Sequence, residues 1–142
     1  MIYYIGDTHF GHENVIKYDN RPFTTVEEMD KFLIKKWNAK VNDEDYVYII
    51  GDFVYGSCHK PSYYLEQLKG YKHLIIGNHD LITIKDKEAC VYFESIEKLG
   101  YVKDGKTDVV MCHYPILEWN GRRRKVNPYV HIYAHIHNGK GF

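Results

Sequence analysis

Five blocks of imidazole, carboxylate and amide side chains at short spacing recur along this 142-residue chain. They are Asp7-Thr8-His9, Gly51-Asp52, Gly77-Asn78-His79-Asp80, His113, and His135-Ile136-His137. The donor atoms on offer are imidazole nitrogens and carboxylate or amide oxygens, with no thiolate among them. That set suits a divalent transition ion such as manganese, iron, zinc, cobalt or nickel, and argues against a structural cysteine-type zinc site. Asp7 and His9 are two residues apart, so in an extended chain they share a face and can reach one ion, and His135 and His137 stand in the same relation. Each block alone has a bland reading. Asp52 after a glycine can cap a turn, His113 before Tyr114-Pro115 can be a satisfied core histidine, and Asn78-His79-Asp80 can be a tight turn. The ordered recurrence of all five is what a structural origin does not explain.

The blocks have a common address. Ile2–Ile5, Tyr46–Ile50, Leu74–Ile76, Val109–Cys112 and Tyr129–Tyr133 are short apolar runs rich in β-branched and aromatic residues, and they read as strands buried on both faces. Each run is followed directly by one of the five blocks, and in open α/β sheets functional groups gather at the carboxyl ends of strands. Between the first two runs, Thr24 or Thr25 with Glu27 or Glu28 reads as a capping box. Val26, Met29, Phe32, Leu33 and Trp37 then recur at helical spacing on one face. Pro61 to Lys69 reads as a short helix ended by Gly70, Ile84–Phe93 as a further helix, and Asp104-Gly105 as a hairpin turn leading into the Val109 run. Alternating strands and helices predict an α/β sandwich.

Composition sets bounds on partners. Lysine plus arginine equals aspartate plus glutamate, 19 each, so no overall field points to nucleic acid or a membrane surface. No apolar run reaches the roughly 20 residues of a membrane helix. The amino terminus lacks the basic-then-apolar order of a secretory signal. Three scattered cysteines, Cys58, Cys90 and Cys112, fit a reduced, cytoplasmic chain better than a disulfide framework. With no repeat or linker, residues 1–142 read as one domain.

Taken together the blocks resemble the motif of the calcineurin-like metallophosphoesterases, which runs D-x-H, G-D, G-N-H-D or G-N-H-E, H, and G-H-x-H. The segment DTHFGHENVIKYDNRPF, and HYP followed by WNG, are similar to the small single-domain bacterial and phage branch of that family. The resemblance implies a compact version of a four-layer αββα sandwich. It implies one ion held by Asp7, His9, Asp52 and His137, and a second held by Asp52, Asn78, His113 and His135, with manganese favoured over iron, zinc or nickel. His79 would contact substrate and assist the leaving group, with Asp80 orienting it. Ala134 stands where the family has glycine, which would shift the backbone at the last ligands. The chain also stops five residues after His137, where many relatives continue with strands, so a sheet edge covered by a second subunit stays open.

The chemistry fits the residue types. Two divalent ions polarise phosphoryl oxygens and lower the pKa of a shared water toward neutrality, and an anionic bridge such as Asp52 offsets their repulsion. With Asp7, Asp52 and hydroxide set against two dications, the centre stays positive and attracts phosphate. His12, Arg21 and Arg123 are candidate phosphate contacts, although an arginine beside Pro22 and the basic run Arg122–Lys125 read as readily as solvated surface. The expected activity is hydrolysis of a phosphate monoester or diester, a small nucleotide-like substrate being favoured over a nucleic-acid polymer. The alternative is a catalytically silent scaffold of the same fold.

Overall fold

The computed structural model describes residues 1–137. Strands β1 (Ile2–Ile5), β2 (Tyr46–Ile49), β3 (Tyr71–Ile75) and β4 (Phe93–Glu97) form a parallel sheet in that order. Parallel neighbours need crossovers, and crossovers of one hand that always step in one direction place their helices on one face. That is what the core shows. Helix α2 (Val26–Lys40) contributes Leu33, Ile34 and Trp37, and α3 (Pro61–Leu65) contributes Tyr64 and Leu65. Helices α4 (Leu81–Lys85) and α5 (Lys87–Cys90) contribute Ile84 and Ala89. All of these pack on Tyr3, Ile5, Val47, Ile49 and Leu74 of the strands.

The alternate strand residues Tyr4, Tyr48 and Ile75, with Ile50 just past the end of β2, belong to a second cluster on the other face. They meet Val102, Val109, Met111 and Ile132 from a second sheet of β5 (Leu99–Asp104), β6 (Thr107–Cys112) and β7 (Val130–Ile132). In that sheet β5 pairs antiparallel and β7 parallel to β6. One residue, Lys98, separates β4 from β5, so the chain passes between sheets without a helix. After β4 the described residues form strands and loops only, and the α/β sandwich is compact because its second half carries no helix there. Among the described residues no helix is long and apolar enough to cross a membrane.

Four segments depart from the sequence reading, one being the helix expected over Pro61 to Lys69, which as α3 ends at Leu65. The helix expected over Ile84–Phe93 is cut at Asp86, whose extended backbone (φ −78°, ψ 102°) ends α4 and whose carboxylate caps α5 at the Glu88 amide. A side chain offering its own acceptor competes with helix continuation. Phe93 instead opens β4, where a bulge between the Lys72 and His73 pairings lets Phe93 and Ile96, three residues apart, both face the helical core. The bulge breaks the period of two that would have marked the strand. Strand β5 was hidden by Gly100, which lies under Ile75 so closely that a Cβ there would come within 2.7 Å of Ile75 Cδ1. The helix α1 (Glu13–Tyr18) was also not expected.

The long helix α2 is capped as its sequence promised. Thr25 Oγ1 accepts from the Glu28 amide at 3.2 Å, and the Glu28 carboxylate accepts from the Thr24 amide at 3.0 Å. Replacing Thr25 with Ala leaves the Glu28 amide without this acceptor and is expected to cost about 1 kcal/mol, or roughly 3–5 °C in melting temperature. An unchanged melting curve for Thr25→Ala would show that the cap carries no stability.

Candidate metal centre

All five blocks meet at the carboxyl ends of β1, β2, β3, β6 and β7. The loops after β1 and β2 run side by side, with the amides of Asp7, His9 and Phe10 donating to the carbonyls of Gly51, Asp52 and Phe53 at 3.0, 3.0 and 2.8 Å. Buried Thr8 adds a hydroxyl bond to Phe53 O at 2.9 Å. The chain does not stay extended here. Asp7 (φ 50°), His9 (49°), Asp52 (55°), His135 (69°) and His137 (46°) all adopt the left-handed conformation, as do Asn20 and Asn127 among the described non-glycine residues. Such conformations are uncommon outside glycine and cluster at functional sites, where surrounding contacts over-determine them. Asp7 and His9 therefore converge through two kinks rather than by strand alternation.

Ligand-capable atoms gather in two groups that share one residue. Asp7, His9, Asp52 and His137 bring donor atoms within 4.8 Å of one another, and so do Asp52, His113 and His135. In the first, His9 Nε2 lies 3.2 Å from His137 Nε2, and Asp7 Oδ1 lies 3.6 Å from His137 Nε2. In the second, Asn78 Oδ1 sits 3.0 Å from both His113 Nε2 and His135 Nδ1. Asp52 Oδ2 stands between the groups, 3.7 Å from His9 Nε2 and 3.4 Å from His113 Nε2. Spacing alone allowed His135 and His137 to reach one ion; the fold places their donor atoms in different groups.

The outer nitrogens of two rings are fixed by acceptors. His113 Nδ1 donates to Ile50 O at 2.8 Å, so in the neutral ring the Nε2 lone pair faces Asp52 and Asn78. His137 Nδ1 bonds Asp19 Oδ2 at 2.6 Å, leaving Nε2 toward Asp7 and His9. Such supporting bonds set the tautomer and aim of a metal-binding imidazole. Asp19 is the residue sequence reading missed. It caps the end of α1, and its only linear signal was its place in the segment between His12 and Arg21.

Close approach of the strand ends depends on two glycines. A Cβ on Gly77 would come within 2.4 Å of Asp52 Oδ1, and one on Gly51 (φ 83°) within 2.3 Å of His113 Nδ1. Ala134 is tolerated because Gly6 faces it: a Cβ on Gly6 would lie 2.6 Å from the Ala134 Cβ, so this contact has room for one methyl. Asp80 ties the same strand ends together. Fully buried, it accepts from the amides of Asp52 (2.9 Å), Phe53 (2.9 Å) and Gly77 (2.6 Å). Its carboxylate bonds go to the main chain, not to the His79 ring, so Asp80 orients His79 only through the backbone that it pins. The His79 amide donates to Asp52 Oδ1 at 2.9 Å.

Electrostatics follow from this crowding. Burial, with help from the charges of His137, His12 and Arg21, outweighs the opposing Asp52 carboxylate and pushes His9 down to about 4, so it is neutral at neutral pH with one ring lone pair available. Burial raises Asp7. It would also raise Asp52, but the His113 hydrogen bond and the His79 amide outweigh it and hold that carboxyl low. Burial would lower His113, and its bonds to Asp52 and Ile50 outweigh that and raise it. Asp7 Oδ1 and His9 Nδ1 are buried without a hydrogen-bond partner. A buried, unpaired carboxylate oxygen beside two imidazole nitrogens is costly unless a cation takes it up. The donor set, the shared Asp52 and this orphaned oxygen all fit divalent ions.

The three candidate phosphate contacts fare differently. The His12 ring lies 5.3 Å from that of His9 and 4.8 Å from that of Tyr55, at the edge of the centre. Burial and then the nearby His79 lower its pKa. Arg21 is committed to the fold, donating to Thr8 O at 2.9 Å, Asp7 O at 2.8 Å and Asp19 Oδ2 at 3.1 Å, so it clamps the loop that carries Asp7 and His9. Arg123 is exposed, pairs with Glu118 at 2.9 Å, and lies in a hollow formed by Tyr101 and residues 118–124, away from the clustered ligands.

Comparisons with known proteins agree with this geometry. The chain is 48% identical over 102 residues to an uncharacterised protein of Methanocaldococcus jannaschii, covering 70% of this chain and 54% of that one. It is 28% identical over 130 residues to the gene 66 protein of Mycobacterium phage L5, covering 80% of this chain and 62% of that one. A crystal structure of a protein of unknown function from Aquifex aeolicus superposes with a TM-score of 0.65 at 30% identity, covering 87% of this chain and 65% of that one. The chain thus spans between about half and two-thirds of the length of these relatives. The calcineurin-like phosphoesterase family model matches residues 1–139, and with its ligand blocks meeting at the strand ends, this chain belongs to that family.

Proposed function

We propose that this protein is a phosphoesterase that uses two divalent ions, manganese favoured, to hydrolyse a small, nucleotide-like phosphate mono- or diester. The observation that carries the reading is the position of Asp52, common to both groups of ligand atoms. Asp7, His9, Asp52 and His137 hold one ion, and Asp52, Asn78, His113 and His135 the other. When bound, such a pair polarises the phosphoryl oxygens and activates a water at neutral pH. The rest of the task falls to the protein. Ile50 O and Asp19 hold His113 and His137 with their inner nitrogens free. Arg21 fixes the Asp7–His9 loop through its carbonyls. A ring N–H of His79, beside His9 and Tyr55, gives its proton to the leaving ester oxygen. His12, kept neutral by burial, donates to a non-bridging phosphate oxygen.

Asp80 is a positioning residue in this scheme, because three buried amides converge on it.

Three variants test these assignments. Asp52→Asn is expected to weaken both ions together in a metal titration followed by calorimetry; loss of one ion alone contradicts the shared ligand. His79→Asn should lower kcat by about 100- to 10,000-fold on alkyl esters and far less on nitrophenyl esters, whose departure needs no proton. Equal losses on both would remove His79 from the acid role. Asp80→Asn turns an amide donor toward buried N–H groups and should destabilise the fold by about 1.5–3 kcal/mol. Melting at the wild-type temperature would show that the three-amide junction is dispensable.

A further inference from the structure

The balanced charge of the whole chain conceals one local excess. Arg122, Arg123, Arg124 and Lys125 are consecutive and exposed, in the segment between β6 and β7. The three arginines line a hollow of about 690 Å³ together with Tyr101 of β5 and Trp119. None of the residues lining it belongs to the metal centre.

The segment that carries the arginines is braced. The Trp119 indole donates to Tyr129 O at 2.9 Å, and the Tyr129 amide donates to Gly121 O at 3.1 Å. The amides of Arg122 and Arg124 close turns on Trp119 O and Gly121 O at 3.2 and 3.3 Å. Gly121 (φ 81°) lies against the Tyr129 ring, where a Cβ would come within 2.4 Å of Cγ. A charge run whose one task is solubility needs no such bracing. The guanidiniums themselves are lightly committed. One exposed carboxylate, Glu118, serves both Arg122 at 3.2 Å and Arg123 at 2.9 Å, and the Arg123 side chain is 81% exposed. Exposed pairs of this kind hold weakly in water. Rings and guanidiniums alternate: Arg122 stands 5.3 Å from the Trp119 ring, Trp119 5.0 Å from that of His131, and Arg124 5.4 Å from that of Tyr129. Tyr101, 54% exposed, faces the same hollow.

We infer that this hollow is a binding site, separate from the metal centre, for a single-stranded stretch of nucleic acid. Its phosphates lie on Arg122, Arg123 and Arg124, and a base lies against Tyr101 and Trp119. Guanidinium forks match phosphate oxygens, and aromatic faces stack on unpaired bases whatever their sequence. A duplex offers no free base face, and an acidic peptide would use the charges but leave the rings uncovered. With no field from the rest of the chain to capture a polyanion, affinity depends on these few contacts. The inference goes beyond the phosphoesterase reading and does not need it, since binding here changes no bond.

The test compares an oligothymidylate of about 12 nucleotides, within the span of a single-strand site, with an abasic strand of the same length. Both carry fluorescein and phosphorothioate links that resist hydrolysis, and binding to the manganese-loaded protein is followed by fluorescence anisotropy. Oligothymidylate should bind at least about tenfold more tightly than the abasic strand, whose charge is the same. Arg122→Gln/Arg123→Gln/Arg124→Gln should weaken it at least about tenfold and flatten the slope of log affinity against log salt by about 2, with melting temperature unchanged. Lys31→Gln/Lys35→Gln/Lys36→Gln removes as much charge from exposed positions of α2 and should change affinity less than about twofold. Tyr101→Ser should narrow the ratio between the two probes by about fivefold or more. Absence of binding, equal affinity for the two probes, or equal losses in the two triple variants overturns the assignment. Displacement of oligothymidylate by polyglutamate at matched charge also overturns it, and gives the hollow to an acidic protein segment.

Discussion

The whole arrangement depends on one carboxylate, that of Asp52, being held where two sets of ligands can reach it. Nothing about an aspartate after a short strand makes that easy. Asp52 sits in a left-handed conformation, 1% exposed, between imidazoles on either side. Its amide is tied to Asp80, and its Oδ1 is occupied by the His79 amide. That leaves Oδ2 facing His9 and His113. Burying such a group without a counter-charge is expensive. The fold offsets the cost with directed main-chain N–H bonds and leaves the remainder to the ions the site fits.

Seen from this residue, the glycines and the buried acid are one device. Gly51 and Gly77 lack the atoms that would hold the β2 and β3 ends apart, and Asp80 draws together the amides on both. The Gly6–Ala134 contact does the same for β1 and β7 across the two sheets. Arg21 and Asp19, at the end of α1, act from outside on the Asp7–His9 loop and on His137. A short helix with one fully buried side chain, Val15, thus matters less for packing than for returning two charged residues to the centre.

The two faces of the centre also differ in kind. Toward the ions the protein presents imidazoles and carboxylates, with the outer nitrogens of His113 and His137 fixed by acceptors. Toward an adjoining cleft, with Asn78 and His79 in its wall, it presents Tyr55, Leu81 and Ile82, partly exposed and apolar. Sites that bind a reacting group tightly and a variable substituent loosely divide their walls in this way, because polar contacts fix orientation while apolar area supplies affinity. The relatives it matches are longer, the matched segments covering 54–65% of their length, and none of their names assigns an activity.

Much of this was written into the linear chain. The five blocks lie at strand ends, and residue type alone restricts the metals to oxygen- and nitrogen-loving ions. The core helix α2 and its Thr25 cap were legible because local periodicity and capping depend on neighbours within one turn. Strands β4 and β5 were not, since a bulge and a glycine erased their alternation, and those features make sense only against β3. The same limit applied to side-chain roles. Arg21 and Arg123 read alike as phosphate ligands, yet Arg21 grips carbonyls and Arg123 pairs with Glu118, while Asp19, passed over in sequence, fixes His137. Residue chemistry is local and so is carried by the sequence. Which atom faces which across more than a hundred residues, as in His137 with Asp7 and Asp19, is set by packed sheets and a handful of left-handed kinks, and only the tertiary structure decides it.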